Sequence, residues 1–224
     1  LAANHAALRA LQHRECVAAL SVGVSMMLLP GVGITFATAG MLSAGGHCHT
    51  FDSRADGYVR GEACCAATLR VSSFAAHDTL RLVGSCVRQD GKSASLTAPN
   101  GQAQRALLWA ALADAAMLSD QVACVEAHGT GTALGDPIEA RSLASLLTGR
   151  RNSEAPSGVL GLLTASRRCD NTEAPGNAKL CLLNPLVGER LGSRAACFSL
   201  PLHAVASRLA SGVSSFGYSG TIAH

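Results

Sequence analysis

Val125-Glu-Ala-His-Gly-Thr-Gly-Thr-Ala-Leu-Gly-Asp-Pro-Ile-Glu139 is the stretch on which the reading of the fold turns. The residues leading into it, Gln121 to Ala127, are apolar and short enough for a buried strand. His128 then opens a loop of alternating glycine and threonine that ends at Thr132. Beyond it the sequence predicts a helix: Asp136 suits the N-cap, Pro137 the first position and Glu139 the third, an Asp-x-x-Glu capping box followed by Ile138, Leu143, Leu146 and Leu147. Gly149 is the expected stop. Taken alone, His128 reads more readily as a structural or surface histidine than as a catalytic one, and a plain β-turn is the alternative reading of the loop.

Upstream, Gln102 to Met117 carries Leu107, Leu108, Ala111, Leu112 and Ala115 at helical spacing, which predicts a helix with one apolar stripe and Trp109 packed beside it. A polar loop from Arg88 to Gly101 precedes it. Ala63 to Val71 and Leu80 to Val87 are expected to be strands paired in one sheet, after a loop at 46–62. Residues 2–13 repeat His5, Arg9 and His13 every four positions, a helix with one polar stripe ending near Glu15. Val17 to Leu29 suits a strand covered on both faces, terminated by Pro30 and Gly31. Downstream, from Arg150 to Arg208, charges cluster and periodicity fades, and order returns at Gly212 to His224. No internal repeat occurs.

The composition narrows the class. With 224 residues, 48% hydrophobic, 23 glycines and 15% charged, the chain fits an Ala/Val/Leu-packed α/β protein. A net charge of +3 without a long basic run gives no sign of nucleic-acid binding. Nine cysteines without spacing rhythm read as reduced thiols, pointing to a reducing, cytoplasmic setting, or a plastid in an alga. His47, Cys48, His49, Cys64 and Cys65 lack the paired C-x-x-C spacing of a closed zinc site, so no metal is expected. The start at Leu1 shows no signal-peptide pattern and lacks an initiator Met, as in an excised piece. The most apolar run, Cys16 to Leu29, falls short of the ~20 residues of a membrane-spanning helix. A membrane protein is the distant alternative, resting only on a mean hydropathy of +0.25.

The stretch Val125 to Glu139 resembles, almost letter for letter, the histidine motif of the β-ketoacyl synthase family. Three further segments agree in the same order. Cys48-His-Thr-Phe-Asp-Ser-Arg-Ala-Asp-Gly-Tyr-Val-Arg-Gly-Glu62 is similar to a loop late in the family's first half. Gln89-Asp-Gly-Lys with Leu96-Thr-Ala-Pro-Asn-Gly101 is similar to its central loop, and Val213 to His224 to its glycine-rich closing motif. The combination looks most like a modular polyketide synthase ketosynthase. That resemblance implies a thiolase-like α/β fold in five α-β-α-β-α layers. This chain would supply the end of the first half, residues 1–87, and most of the second, residues 88–224. It further implies decarboxylative Claisen condensation of acyl and malonyl-type thioesters carried on the phosphopantetheine of an acyl carrier protein, in a homodimer, with no cofactor bound by the chain itself.

By the same resemblance, His128 is the histidine that stabilises the enolate. Thr130 and Thr132 are the hydroxyls that hydrogen-bond the phosphopantetheine arm. Phe216, Gly217 and Tyr218 belong to the loop whose central aromatic lends an N–H to the oxyanion hole and gates the acyl pocket, Tyr218 standing where the family usually has Phe. The alternative reading of Phe216 and Tyr218 is as ordinary core aromatics, and His224 reads as structural. Two departures stand out. If Leu1 to His5 follows the family's Cys-Ser-Ser-Ser, the nucleophilic cysteine lies a few residues before Leu1. The family's Lys-Ser-Asn-Ile-Gly-His corresponds to Ser166-Arg-Arg-Cys-Asp-Asn171, which puts Ser166 at the lysine and Asn171 at the second histidine, with the helix that follows shortened. The expected outcome is a ketosynthase fragment that is inactive by itself; the alternative is a ketosynthase-like subunit kept for scaffolding or carrier docking. Exposed apolar faces at Val17 to Leu29 and Leu107 to Ala115 are expected to leave the isolated fragment poorly folded.

Overall fold

The computed structural model describes residues 1–71, 80–93, 98–146, 153–154, 173–174, 177, 179–193, 205–206, 210–217 and 220–224. Two bodies of secondary structure follow one another along the chain. In the first, α1 (Ala2–Gln12) packs across β1 (Ala18–Ser25), which pairs antiparallel with β2 (Ala63–Arg70) from Ala18 opposite Arg70 to Ser25 opposite Ala63. The less exposed positions of β1 are the small residues Ala19, Ser21 and Gly23. Leu20, Val22 and Val24 stand on the opposite face, exposed, and Val17 is 87% exposed. The expectation of a strand covered on both faces is therefore corrected: among the described residues nothing lies over that second face. Pro30 does not end the strand either. It is the first residue of α2 (Pro30–Thr38), where its missing N–H costs nothing.

The strands of the second body are β3 (Val87–Gln89), β4 (Val122–Glu126), β5 (Ser153–Glu154), β6 (Glu173–Ala174), β7 (Val205–Ala206), β8 (Ala210–Val213), β9 (Ser215–Phe216) and β10 (Thr221–Ala223). A parallel sheet has the order β5-β4-β8, an antiparallel sheet the order β3-β10-β9, and β6 and β7 form a two-residue antiparallel ladder. Residues 80–86 are irregular, so the expected pairing of Ala63–Val71 with Leu80–Val87 does not form. The backbone of Cys86 is instead satisfied by His224, N–H to O in both directions at 2.8 and 3.0 Å, which leads the chain into β3 alongside β10.

Among the described residues, three α-helices cover this body. The helix α3 (Gly101–Asp114) begins at Asn100, whose side-chain oxygen accepts from the N–H groups of Gln102 and Ala103. It buries Gln104, Leu107, Leu108, Ala111 and Leu112, so the face expected to be exposed is closed by α4 (Gly135–Ala144) and by β4. Trp109 points away and is 51% exposed, not packed beside the stripe. A short α5 (Pro185–Leu191), capped by Asn184, packs on α4 and adds Val187 and Leu191 to a core with Phe51, Val122, Val125, Ala140 and Leu143. Contact between α1 and the second body is polar: Arg9 pairs with Asp114 at 2.7 Å and donates to the Ser85 carbonyl, while His5 Nδ1 lies 3.3 Å from Ser85 Oγ. The expected stop at Gly149 lies outside the described residues.

Candidate active site

The strand β4 delivers His128 at its C-terminal end, and the following loop is folded by its glycines. Gly129 and Gly131 adopt φ of +48° and +69°, in the left-handed region where side chains are disfavoured. At Gly131 a Cβ would lie 2.9 Å from the backbone nitrogen of His49, so the loop and the 48–58 segment approach to a distance only glycine permits. Thr50 Oγ1 donates to the Gly129 carbonyl, and the Gly57 N–H to that of Gly131.

Asp136 and Glu139 do not cap α4, which begins at Leu134 without a side-chain cap. Thr132 Oγ1 accepts the Gly135 N–H at 3.1 Å, and the two carboxylates turn back onto the loops. Glu139 accepts the N–H of His128 (2.7 Å) on one oxygen and that of Gly129 (2.8 Å) on the other. Asp136 accepts from Gly131 (3.0 Å) and Phe51 (2.6 Å). The capping-box reading is thus corrected: a hydroxyl already serves the helix start, freeing the acids to hold the histidine loop. Both are buried, and burial pushes Asp136 up to about 6 and Glu139 up to about 7, against the backbone N–H groups that favour their charged forms.

The 48–58 segment is itself anchored by Asp52. Its carboxylate is fully buried and takes the N–H groups of Arg54, Cys181 and Leu182 and the Arg54 guanidinium, which holds it far below the usual carboxylate range. Asn184 N–H donates to the Phe51 carbonyl from the other side. Asp52, Asp136 and Glu139 are the residues the sequence reading missed as site builders. The signal that pointed to the two helix acids was Thr132 three residues before Gly135, which makes an acidic cap redundant.

Burial pushes the His128 imidazole down to about 4, so it is neutral at physiological pH, and its Nδ1 is buried without a hydrogen-bond partner among the described residues. The Phe216 ring meets it edge to face, centroids 5.5 Å apart. The hydroxyls of Thr130 and Thr132 lie 3.1 Å apart on the same loop. The Gly217 N–H is taken by the Thr221 carbonyl at 2.6 Å. Of the expected site residues, His128, Thr130 and Thr132 lie on the loop after β4, Phe216 ends β9 beside it with Gly217 next in the chain, and Tyr218 lies outside the described residues, as do Ser166 and Asn171. His224 is half-buried, its Nδ1 2.9 Å from Ser214 Oγ, and burial of the ring pushes it, too, down to about 4. No group of three or more His, Cys, Asp or Glu among the described residues is placed to hold a metal ion, and no helix there is long and apolar enough to cross a membrane.

Comparison with known proteins agrees with this geometry. Residues 1–75 match the profile of the β-ketoacyl synthase N-terminal domain and residues 80–160 that of its C-terminal domain. Two polypeptides of the phenolphthiocerol/phthiocerol polyketide synthase of Mycobacterium tuberculosis are 39% and 37% identical over all of this chain. The chain spans only 11% of the first and 13% of the second. The alignment with the first runs to 244 positions against the 224 residues here, so that relative carries residues this chain lacks. Among solved structures, the ketosynthase from module 6 of the bacillaene synthase of Bacillus subtilis superposes with a TM-score of 0.87 at 28% identity, over 98% of this chain and 43% of that one. An oxazolomycin ketosynthase domain from Streptomyces albus superposes at 0.89 with 29% identity, over 100% and 43%. The histidine loop at the end of β4, the closing strands β9 and β10 and these matches lead to one conclusion: the chain belongs to the β-ketoacyl synthase family and has part of its thiolase-like α/β fold.

Proposed function

We propose that this chain is part of a ketosynthase of a polyketide synthase, an acyltransferase that condenses an acyl thioester with a malonyl-type thioester, both borne on the phosphopantetheine of an acyl carrier protein. The observation that carries this reading is His128: a neutral imidazole at a strand end, its Nδ1 buried and its backbone gripped by Glu139. In the proposed step the malonyl carbon–carboxylate bond breaks, carbon dioxide leaves, and the electron pair enters the enolate of the thioester. The imidazole N–H donates to that enolate oxygen, a fixed donor in a site that need not reorganise as charge develops. The enolate carbon then attacks the carbonyl of the acyl group, by then passed from its carrier to the enzyme's cysteine; the new carbon–carbon bond forms as the acyl carbon–sulfur bond breaks and the cysteine leaves as thiolate. Because burial already holds His128 neutral, it stays a hydrogen-bond donor rather than a competing acid over the working pH range.

Thr130 and Thr132 are proposed to meet the amides of the phosphopantetheine arm, with Thr130 in the leading role. Thr132 Oγ1 accepts the Gly135 N–H, so its O–H can donate to Thr130 Oγ1, whose own O–H remains available to the arm. Gly217 and Tyr218, which follow Phe216 at the end of β9, are proposed to close the site over the acyl group. The nucleophile is proposed to be a cysteine outside this chain. Among the described cysteines, Cys16 follows the C-terminal end of α1, Cys64 and Cys65 lie in β2, and Cys124 is buried in β4, none at the helix N-terminus that would favour a thiolate. The 224 residues alone are accordingly proposed to be inactive, the complete enzyme a homodimer, and its setting the cytoplasm of a bacterium like those of its relatives rather than a plastid. Incubating a ketosynthase that carries this chain with acyl- and malonyl-loaded carrier protein tests the proposal. A β-ketoacyl product supports it, and loading without product favours the scaffolding alternative, which the substitutions at Ser166 and Asn171 commend.

A further inference from the structure

We propose that Phe216 is a positioning residue for His128: its ring seals the imidazole from water and fixes its plane, rather than acting directly on the acyl chain. This rests on the ketosynthase reading above. A histidine is ordinarily oriented by a hydrogen bond on the ring nitrogen that faces away from the chemistry. Here Nδ1 is buried and has no such partner among the described residues, so packing must do what a polar contact does elsewhere. The described aromatic ring that meets the imidazole is Phe216, edge to face at 5.5 Å with an interplanar angle of 65°, a geometry favoured by aromatic pairs.

The backbone that carries Phe216 is fixed. It lies in β9 opposite Ile222, a fully buried residue of β10, and the turn between the two strands is closed by the Gly217 N–H on the Thr221 carbonyl. A main chain held on both sides of the aromatic suits a wall better than a moving gate. The described charged and titratable groups around His128 do not offer another way to set its proton. From α4, Glu139 grips its backbone N–H and Asp136 the same loop at Gly131. His49 lies across from Gly131, with Asp56 in its own segment. Glu126 precedes the loop in β4, and His224 follows β10. Burial accounts for the displacement of the His128 pKa.

The test uses a ketosynthase polypeptide carrying this chain, with malonyl-carrier protein as the probe. Phe216→Ala should raise the pH at which decarboxylation falls to half on its acid side by about one to two units, because water reaches the imidazole. The imidazole resonances of His128 should move their titration by the same amount. Phe216→Leu, which keeps apolar cover and is the milder change to the fold, should move both by less. An unchanged His128 titration in Phe216→Leu and Phe216→Ala, with a rise only in KM for the acyl group, would overturn the proposal and make Phe216 an acyl-pocket residue. If the unaltered protein releases no carbon dioxide, the ketosynthase reading fails, while the imidazole titration still decides the role of Phe216.

Discussion

Glu139→Gln is the most informative perturbation of the site's frame. Glu139 is fully enclosed, and its pKa is pushed from 4.5 up to about 7 by burial. A folded-state pKa above the unfolded one means that the native protein binds more protons, so this group favours folding at low pH and its contribution declines as the pH rises through 7. Between about pH 5.5 and about pH 8 the loss is roughly 2 kcal/mol. Glutamine has no such dependence. It does keep the size and one acceptor, but its NH2 faces the N–H of His128 or Gly129 and leaves a buried donor unpaired, at a cost of about 1–3 kcal/mol. A protonated carboxyl still accepts weakly through its hydroxyl oxygen, so wild type should exceed the variant near pH 5.5. Urea unfolding of a ketosynthase carrying this chain, repeated across that range, should show the gap shrinking towards pH 8 and approaching zero or changing sign. A gap that is constant, or that widens with pH, would refute the idea that burial outweighs the two backbone donors and raises the Glu139 pKa. His128 and His224 work in the opposite sense, since pKa values lowered by burial withdraw stability as the pH falls below about 6.5, so only the difference between the two proteins isolates Glu139.

Gly131→Ala combines a left-handed backbone with a Cβ 2.9 Å from His49 N, and should lower stability by about 1–3 kcal/mol in thermal unfolding, more than alanine at the unobstructed Gly61. Asp52→Asn replaces an acceptor of three backbone N–H groups and a guanidinium with one that has a single acceptor oxygen, and should cost about 2–4 kcal/mol by denaturant titration while removing the acid sensitivity that arises where Asp52 titrates when unfolded. The 224 residues expressed alone should show helical far-ultraviolet circular dichroism without a cooperative melt, because Leu20, Val22, Val24 and Met26 to Leu29 are open to solvent. A sharp two-state transition of a monodisperse sample would overturn that.

The second body was largely legible in the sequence because its signals are local. Leu107, Leu108, Ala111 and Leu112 at helical spacing place α3, and the apolar run before His128 places β4. The site was legible through motif resemblance, not through chemistry: Asp136 and Glu139 follow the capping pattern, yet their carboxylates serve the backbone at 128–131 and at Phe51. Sequence spacing cannot distinguish an acid that caps its own helix from one that reaches back, because both need the same first-turn position. Misjudged strands have a similar cause. Leu80 to Val83 are apolar enough for a strand, but strand pairing depends on a partner, and β10 begins its ladder only at Val87. The polar stripe of His5 and Arg9 found its use at Ser85 and Asp114, contacts between residues far apart in the chain that no periodicity reveals.

The most direct measurement of the central claim is release of carbon dioxide from malonyl-carrier protein by a ketosynthase carrying this chain, with and without His128→Ala. If His128 donates to the developing enolate, the substitution should slow decarboxylation by roughly 10²-fold or more, while acyl loading of the cysteine changes far less. Equal loss of both steps, or a decarboxylation rate that survives the substitution, would contradict the assignment and leave His128 as a packing residue.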